Sequence, residues 1–576
     1  MLINAILLIF TEIALILCGL VMLRGLQFIF PNLLSNGKTL SLSLTAILGL
    51  IGSTFLASML SIWMRINWEV FSGLLIFLGV YTLMDWHWLR SYFQKFSRFT
   101  IRQDGADLLL FGLFLILVLA TSADPDRSYD DGLYHLQSVL LITQHKIIPG
   151  LGLLHNRFAY NAIWHVSSAL WGYPFLHPEH LLYFTATPLL MLNFVAFLLR
   201  SLKKEKLWPM QALMLVLLLV STTYMVYYRF DYGAADNNLP SFILVWLAML
   251  LFIQQGFFQK ISTNGVLDTL LFLLLVVFSW TVKISTLMLI IPAGYLTGQL
   301  WKKQPIAAVQ IFGISLLLLF PWSLRSLFTS GFFVYPPPAA WFGLPFKWQM
   351  PYAMARENAL VDISWAKLPG VSAQAVSEMR LVEWMPLWFQ SLDRNELLLI
   401  AASLLAITTF AFTILIKFKQ LREKKHLTAA IIFLCWMLAS LVFWFFSYPD
   451  PRFFYGSAMP IIASLLLTIS FWLKEKMQFT SPNLRRSGLL VTTLFLALLF
   501  VRLNILSEID YTPIKLHPAP IPQVAVRQIS LNGFILNLPV SGDQCWGSAV
   551  PCIPDKCSEA VHLLGDTLLG GFTFIE

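Results

Sequence analysis

Apolar segments of roughly 20 residues, the length that carries a helix across hydrocarbon, recur about fourteen times along this chain. That repetition constrains the fold more than any motif does. The segments lie near residues 2–23, 40–63, 70–86, 106–121, 181–199, 208–228, 239–258, 266–280, 285–300, 305–322, 397–416, 427–447, 455–473 and 488–501, and 159–171 reads as a further half-span or an interfacial helix. Hydrocarbon offers no partner for a backbone N–H or C=O, so each segment must satisfy its own as a helix. Composition agrees: 58% of residues are hydrophobic, only 12% are charged, and 20 are Trp, far from the balance of a soluble domain. The fold class that follows is an all-α polytopic membrane protein of about fourteen transmembrane helices. The first span lacks a basic start and a small-residue cleavage site, so it is not read as a cleavable signal.

Lys and Arg concentrate on the cytoplasmic side of membrane proteins. Alternate loops of this chain separate on that criterion: more than half of its 39 basic residues fall in one set, including Arg90, Lys95, Arg200, Lys203, Lys302, Lys417 and Arg422. That set is predicted to be cytoplasmic. The net charge of +9 is then accounted for by topology and anionic lipid, with no nucleic-acid partner required. The exterior face receives the loops 122–160 and 323–396, the turn Tyr448-Pro-Asp-Pro-Arg-Phe-Phe454 and the tail.

Three parts are predicted: a leading three-helix unit over 1–103, a main transmembrane domain over 104–503, and a small exterior module over 504–576 with strand-like segments such as Phe534-Ile-Leu-Asn-Leu-Pro539. Glu12 and Asp85 are in-membrane acids near span ends, either structural or functional. Three of the five cysteines fall in the tail, and Cys545 with Cys552 is the favoured disulfide, although three cysteines permit other pairings. Cys18 and Cys435 lie in separate spans and read as packing residues.

The most informative polar stretch is Ser122-Ala-Asp-Pro-Asp-Arg-Ser-Tyr-Asp-Asp-Gly-Leu-Tyr-His-Leu-Gln137, which sets Asp124, Asp126, Asp130 and Asp131 directly after an apolar run. It is either a solvated acidic loop or a site at the lipid boundary. A helix starting near Ser128, capped by Ser128 or Asp130, would place Asp130 with Tyr134 and Asp131 with His135 on shared faces, above an apolar stripe of Leu133, Leu136 and Leu140. Adjacent carboxylates resist simultaneous ionisation, which raises one pKa and suits a general base. Asp126, Asp130 and Asp131 are also hard ligands suited to Mg, Mn or Ca, at a spacing that matches no fixed metal motif. A divalent metal is therefore the one cofactor candidate.

An Asp-Asp pair followed by Gly-Leu-Tyr in an exterior loop, leading into a helix along the membrane, resembles the glycosyltransferase C superfamily of enzymes that use polyprenyl-phosphate sugars. The wider set, Tyr129-Asp-Asp-Gly-Leu-Tyr-His135, Ile148-Pro-Gly-Leu-Gly-Leu-Leu-His-Asn156, Pro321-Trp-x-x-Arg325, Ser330-Gly-x-x-x-Tyr-Pro336 and Pro449-Asp-Pro-Arg-Phe453, is similar to a group of bacterial membrane proteins of this architecture. The resemblance implies that Asp130 is the catalytic base with Asp131 beside it, and that a sugar passes from the lipid carrier to a hydroxyl of a saccharide, lipid or protein acceptor with inversion. It also implies a bacterial inner membrane, with the active face toward the periplasm. One departure is plain: in most members the acidic loop follows the first span, whereas here it follows about the fourth, which leaves 1–103 as an accessory.

Lys283, Arg325 and Arg452 fall on the same face as the acidic segment and suit a phosphate leaving group, each with interfacial snorkelling as its alternative. Tyr134, His135, His155, Asn156, Asp231 and Asp236 are candidates for the acceptor or sugar pocket, with structural hydrogen bonding as theirs. The rival function is a transporter or flippase for a lipid-linked saccharide or anion, which would use the same cations and need no base. No phosphate-binding glycine loop, zinc spacing or nucleophile elbow occurs, which argues against nucleotide hydrolysis and serine-hydrolase chemistry.

Overall fold

A computed structural model describes residues 2–34, 40–95, 101–122, 128–176, 182, 184–205, 208–227, 234–258, 265–423, 426–472, 481–502, 522, 524–555 and 557–575. Asp126 and Asp231 lie outside the described residues.

Among the described residues eight helices are long and apolar enough to cross a membrane: Ile3–Ile29, Leu42–Leu60, Asn238–Phe257, Gly265–Val282, Ile284–Trp301, Pro305–Ser330, Arg394–Ile416 and Leu427–Ser447. A ninth crossing would join Trp68–Met84 to Trp86–Gln94, which meet at 81°. The chain is thus a multi-pass helical membrane protein. Fewer helices meet the length and composition of a span than the sequence suggested. Gly105–Leu119, Trp208–Ser221, Tyr455–Ile469 and Ser487–Leu496 are apolar but shorter, and Thr187–Lys204 carries Arg200, Lys203 and Lys204 in its last turns. The face of Pro305–Ser330 that carries Ile306, Val309, Phe312, Leu316, Leu317 and Phe320 is exposed, as an apolar row meeting lipid would be.

The leading unit is held by α1 (Leu2–Ile29) and α2 (Leu42–Leu60), which cross at glycines. A Cβ on Gly19 would sit 1.8 Å from the Thr45 carbonyl oxygen, and one on Gly49 would sit 1.9 Å from that of Leu15. Small residues let helix backbones approach this closely, where packing rather than water drives association. Glu12 accepts a hydrogen bond from Asn193 Nδ2 at 2.8 Å, and Asp85 pairs with Arg24 at 3.1 Å, so both in-membrane acids have structural partners.

At one end of the bundle the connections are long. They contain helices Tyr352–Lys367, Ala373–Glu378 and Leu381–Ser391, and two antiparallel pairs from the tail: β1 (Val526–Leu531) with β2 (Phe534–Pro539), and β3 (Val561–Leu563) with β4 (Phe572–Phe574). The first hairpin turns on Asn532 and Gly533, both at positive φ, as a two-residue turn matching strand twist requires. Leu141, Ile148, Phe158, Phe332, Leu536 and Phe572 share one buried cluster, so the tail packs directly on the loops that carry the candidate site.

Candidate functional site

The acidic segment does not form the regular helix its pattern suggested. Asp131–His135 make a π-helical turn that leads into the α-helix Leu136–Gln144, an irregularity frequent at functional sites. Neither predicted cap acts through its side chain. Ser128 contributes its carbonyl, accepting from Asp131 N at 3.0 Å, and Asp130 makes no capping bond. The wide turn sends the two carboxylates to different partners. Asp131 is fully buried and accepts the Ala235 backbone N–H at 2.7 Å, fixing the segment to the start of helix Asn238–Ile253. Asp130 keeps about a third of its side chain exposed and pairs with Arg157 at 3.2 Å. Asp131 is thus the buried member of the pair and Asp130 the accessible one.

The helix Leu136–Gln144 was expected to lie on a surface with one apolar stripe; instead Leu136, Gln137, Val139, Leu140, Leu141, Ile142 and Thr143 are all buried. The tail covers it. Gly132 O accepts the Cys545 and Trp546 N–H groups at 2.7 and 2.9 Å. Gln137 Nε2 donates to Trp546 O and Ser548 O at 3.1 and 2.8 Å, and Gln137 Oε1 accepts the Cys552 N–H at 3.1 Å. Cys545 and Cys552 are disulfide-bonded, so a closed loop is clamped over the Asp-Asp-Gly turn. Gly132 is required there, because a Cβ would lie 2.5 Å from Trp546 Cε2. Gly132→Ala should displace the indole and free the clamp. Hydrogen exchange of the Cys545 and Trp546 amides is expected to rise from protected toward loop-like rates; unchanged exchange would remove the clamp from this description.

Around Asp130 the walls are aromatic. The Arg157 guanidinium lies over the Tyr134 ring at 5.4 Å, and Tyr134 meets Tyr160 edge-on at 6.2 Å. The Tyr160 hydroxyl donates to Asp362 in helix Tyr352–Lys367, and Tyr335 stands 5.8 Å from Tyr160. Burial raises the Asp362 carboxyl above its ordinary range, with Tyr160 and Arg157 opposing. Asp130 and Tyr134 thus share Arg157, whereas Asp131 bonds to Ala235 and His135 to His165. His135 Nδ1 and His165 Nε2 are 2.7 Å apart, one donating to the other, and burial favours neutral His135.

Two of the three predicted cations belong to this site. Lys283 sits in the break between helix Gly265–Val282 and the 3₁₀ turn Ile284–Leu289. Its Nζ donates to Asn238 Oδ1 and lies 4.1 Å from the Phe453 ring centre. Asp236 accepts both the Asn238 N–H and Nδ2, at 2.6 and 3.0 Å, which turns the amide oxygen toward Lys283. Burial brings the Lys283 ammonium down to about 8, Arg452 adds to that effect, and Asp236, Asp450 and Asp130 oppose it. Arg452 is half-exposed and bidentate on Asp450, with bonds of 2.6 to 3.1 Å. Arg325, buried on Pro305–Ser330, donates to Asn161 and Ser61. Of the three cations, Lys283 and Arg452 both feel the charges of Asp130 and Asp236, and Arg325 is bonded to other partners.

The remaining candidates flank or hold the groups already described. His155 stacks edge-on to Phe158, and burial, helped by Arg157, holds it down to about 3, so it is neutral at physiological pH. Asn156 begins the 3₁₀ turn that presents Arg157. Asp236 acts through Asn238. Among the described residues no group of three or more His, Cys, Asp or Glu is placed to hold a metal ion; of the proposed trio, Asp131 is turned onto Ala235 and Asp130 onto Arg157.

Residues 1–459 match the model of a family described as Domain of unknown function (DUF8201), and the chain belongs to that family. No curated protein and no solved structure matches it. The matched span contains Asp130, Arg157, Lys283, Asp362 and Arg452 and ends before the tail that clamps Gly132.

Proposed function

We propose that this DUF8201 family member is a membrane glycosyltransferase of glycosyltransferase C type, with its fourteen-odd helical segments placing the acidic segment, the loop 323–396 and the tail on the exterior, periplasmic face of a bacterial inner membrane. The reading starts from the split of basic residues between alternate loops and from the ordered motifs that resemble that superfamily. One observation carries it furthest: Asp130 is the accessible carboxylate of its pair, with tyrosines on one side and Lys283 and Arg452 close enough on the other to feel its charge.

In the proposed reaction the donor is a sugar on a polyprenyl phosphate. An acceptor hydroxyl oxygen attacks the anomeric carbon as its bond to the phosphate oxygen breaks. The proton passes to Asp130, and the bonding pair leaves on the phosphate, where Lys283 and Arg452 stabilise the growing charge. Tyr134 and Tyr160 offer faces for the sugar. Arg157 holds Asp130 aimed until substrate enters. No step requires a metal.

Binding should depend on pH through Lys283. Its ammonium is intact below about pH 8 and lost above it, so affinity for a polyprenyl-phosphate sugar should be constant up to that pH. It should then fall by about tenfold for each unit as the proton has to be taken up with the ligand. Lys283→Gln should bind weakly at every pH and flatten the profile. A profile for Lys283→Gln that still breaks near pH 8 would move the phosphate seat elsewhere.

A further inference from the structure

Arg325 is the most deeply buried cation that the proposed chemistry leaves unused. The residue is 6% exposed. Its Nε donates to Asn161 Oδ1 at 3.1 Å and its Nη1 to Ser61 Oγ. Asn161 cannot swing away: it sits at φ 48°, its Nδ2 donates to Trp322 O at 2.7 Å, and its own carbonyl accepts Trp322 Nε1 at 2.9 Å. A guanidinium has five donors, and these two neutral acceptors use two. Among the described residues no carboxylate pairs with Arg325. A buried charge without a counter-charge is costly, and a bound anion would supply the opposite sign.

Arg325 lines a cleft that opens to solvent, with about 500 Å³ of empty space when the open solvent at its mouth is counted. Its polar lining comprises buried Arg325 and Asn161, exposed Lys146, and His145, Ser138 and Thr329; the rest is largely aliphatic, Leu141 and Ile148 among it. No acid lines it. His165 lines it too, and its bonded partner His135 stacks on Tyr134 at 4.1 Å. The histidine pair is therefore the wall between this cleft and the Asp130 site.

We infer that this cleft is a second anion site, distinct from the one at Lys283 and Arg452, and that it takes a phosphate group, with Arg325 as the fork that grips two of its oxygens and Lys146 drawing it in. The aliphatic lining beside the cations suits a phosphate carried on an apolar stem. The phosphate is either that of an anionic lipid headgroup or a free ion. The inference rests on the isolation of Arg325 and holds whether or not the neighbouring site transfers sugar.

The test uses the purified full chain in nanodiscs. In phosphatidylcholine discs, inorganic phosphate is titrated by calorimetry; in discs containing phosphatidylglycerol, the anionic lipid retained per protein is counted by mass spectrometry. Binding in the first arm assigns a free ion, and binding in the second alone assigns a headgroup. Arg325→Gln should weaken binding by at least about tenfold, the loss that follows from removing charge-assisted hydrogen bonds. Ser138→Asp places a carboxylate in the cleft as an internal counter-charge. It should abolish binding while keeping the fold, so it carries the test if Arg325→Gln does not accumulate. Lys283→Gln should leave this binding intact. No binding in either arm, wild-type affinity in Ser138→Asp, or loss in Lys283→Gln would each overturn a separate site, and none of them bears on transfer at Asp130.

Discussion

Replacing Asp130 with Asn is expected to lower sugar transfer by about 10²- to 10⁴-fold, the usual cost of removing a positioned general base, while a polyprenyl-phosphate sugar still binds. Asn keeps the shape of the side chain and can accept from Arg157, so the loss should fall on turnover rather than on donor affinity. Asp131→Asn is the companion. Its oxygen can still accept the Ala235 N–H that Asp131 accepts at 2.7 Å, and a buried positioning residue replaced by its amide should retain most of the activity. Asp131→Ala, by contrast, leaves that N–H without a partner, at a cost of about 1–3 kcal/mol for a buried donor, and should lower activity through loosening of the acidic turn. Equal losses in Asp130→Asn and Asp131→Asn would contradict the division of roles between them. Asp362→Asn provides a further contrast, because this second carboxyl is raised by burial and engaged by Tyr160. If Asp362→Asn removes turnover and Asp130→Asn does not, the base is Asp362.

The largest effect on stability is expected at the α1–α2 crossing. Gly49→Val would drive a Cβ to 1.9 Å from the Leu15 carbonyl oxygen, and Gly19→Val would drive one to 1.8 Å from that of Thr45. Backbone cannot step aside as a flexible side chain can, so the helices must separate and lose their shared packing. Overpacking typically costs about 1–3 kcal/mol and occasionally more, and these contacts belong at the upper end. Gly52→Ala should be tolerated, since its nearest neighbour is the mobile end of Met22 at 2.9 Å, and Gly25→Ala meets nothing within 4 Å. Thermal unfolding of the detergent-solubilised protein ranks the four. A midpoint for Gly49→Val no lower than that of Gly25→Ala would show that the two helices do not cross as described.

Elements fixed by local physics were legible in the sequence. Apolar runs announce helices because hydrocarbon forces each segment to satisfy its own backbone, and the closely spaced Cys545 and Cys552 pair as their spacing suggested. Lys283 and Asp130 could be nominated because charge beside an apolar run is unusual wherever the chain folds. What was not legible depends on contacts across the chain. Nothing in the 323–396 loop distinguishes Asp362 from other acids there until Tyr160 is seen to reach it. Arg157, one residue beyond Asn156, carries no signal of its own in the sequence, yet it is the partner of Asp130. Asp450 and Phe453 stood within a quoted motif without a role, and only the approach of Lys283 and Arg452 gives them one. Arg325 shows the same limit. Sharing a face with Lys283 and Arg452 in the sequence said nothing about which way its helix turned it, and it turns toward Asn161. The regular helix expected from Ser128 failed because a spacing of four assumes α geometry, which the π-helical turn Asp131–His135 abandons. The Asn532-Gly533 turn, in contrast, is a local signal readable from the sequence.

The central claim, that the Asp130 site transfers a sugar from a lipid phosphate to an exterior acceptor, is tested most directly by product analysis in proteoliposomes. Wild-type and Asp130→Asn protein would be reconstituted with a radiolabelled polyprenyl-phosphate sugar and an acceptor mixture, and the lipid fraction analysed for free polyprenyl phosphate. The wild type should release one polyprenyl phosphate for each sugar that appears on the acceptor, and Asp130→Asn should hold the donor intact. Movement of the intact lipid-linked sugar between leaflets by both proteins, with no polyprenyl phosphate released by either, would contradict transfer and establish a transporter in its place.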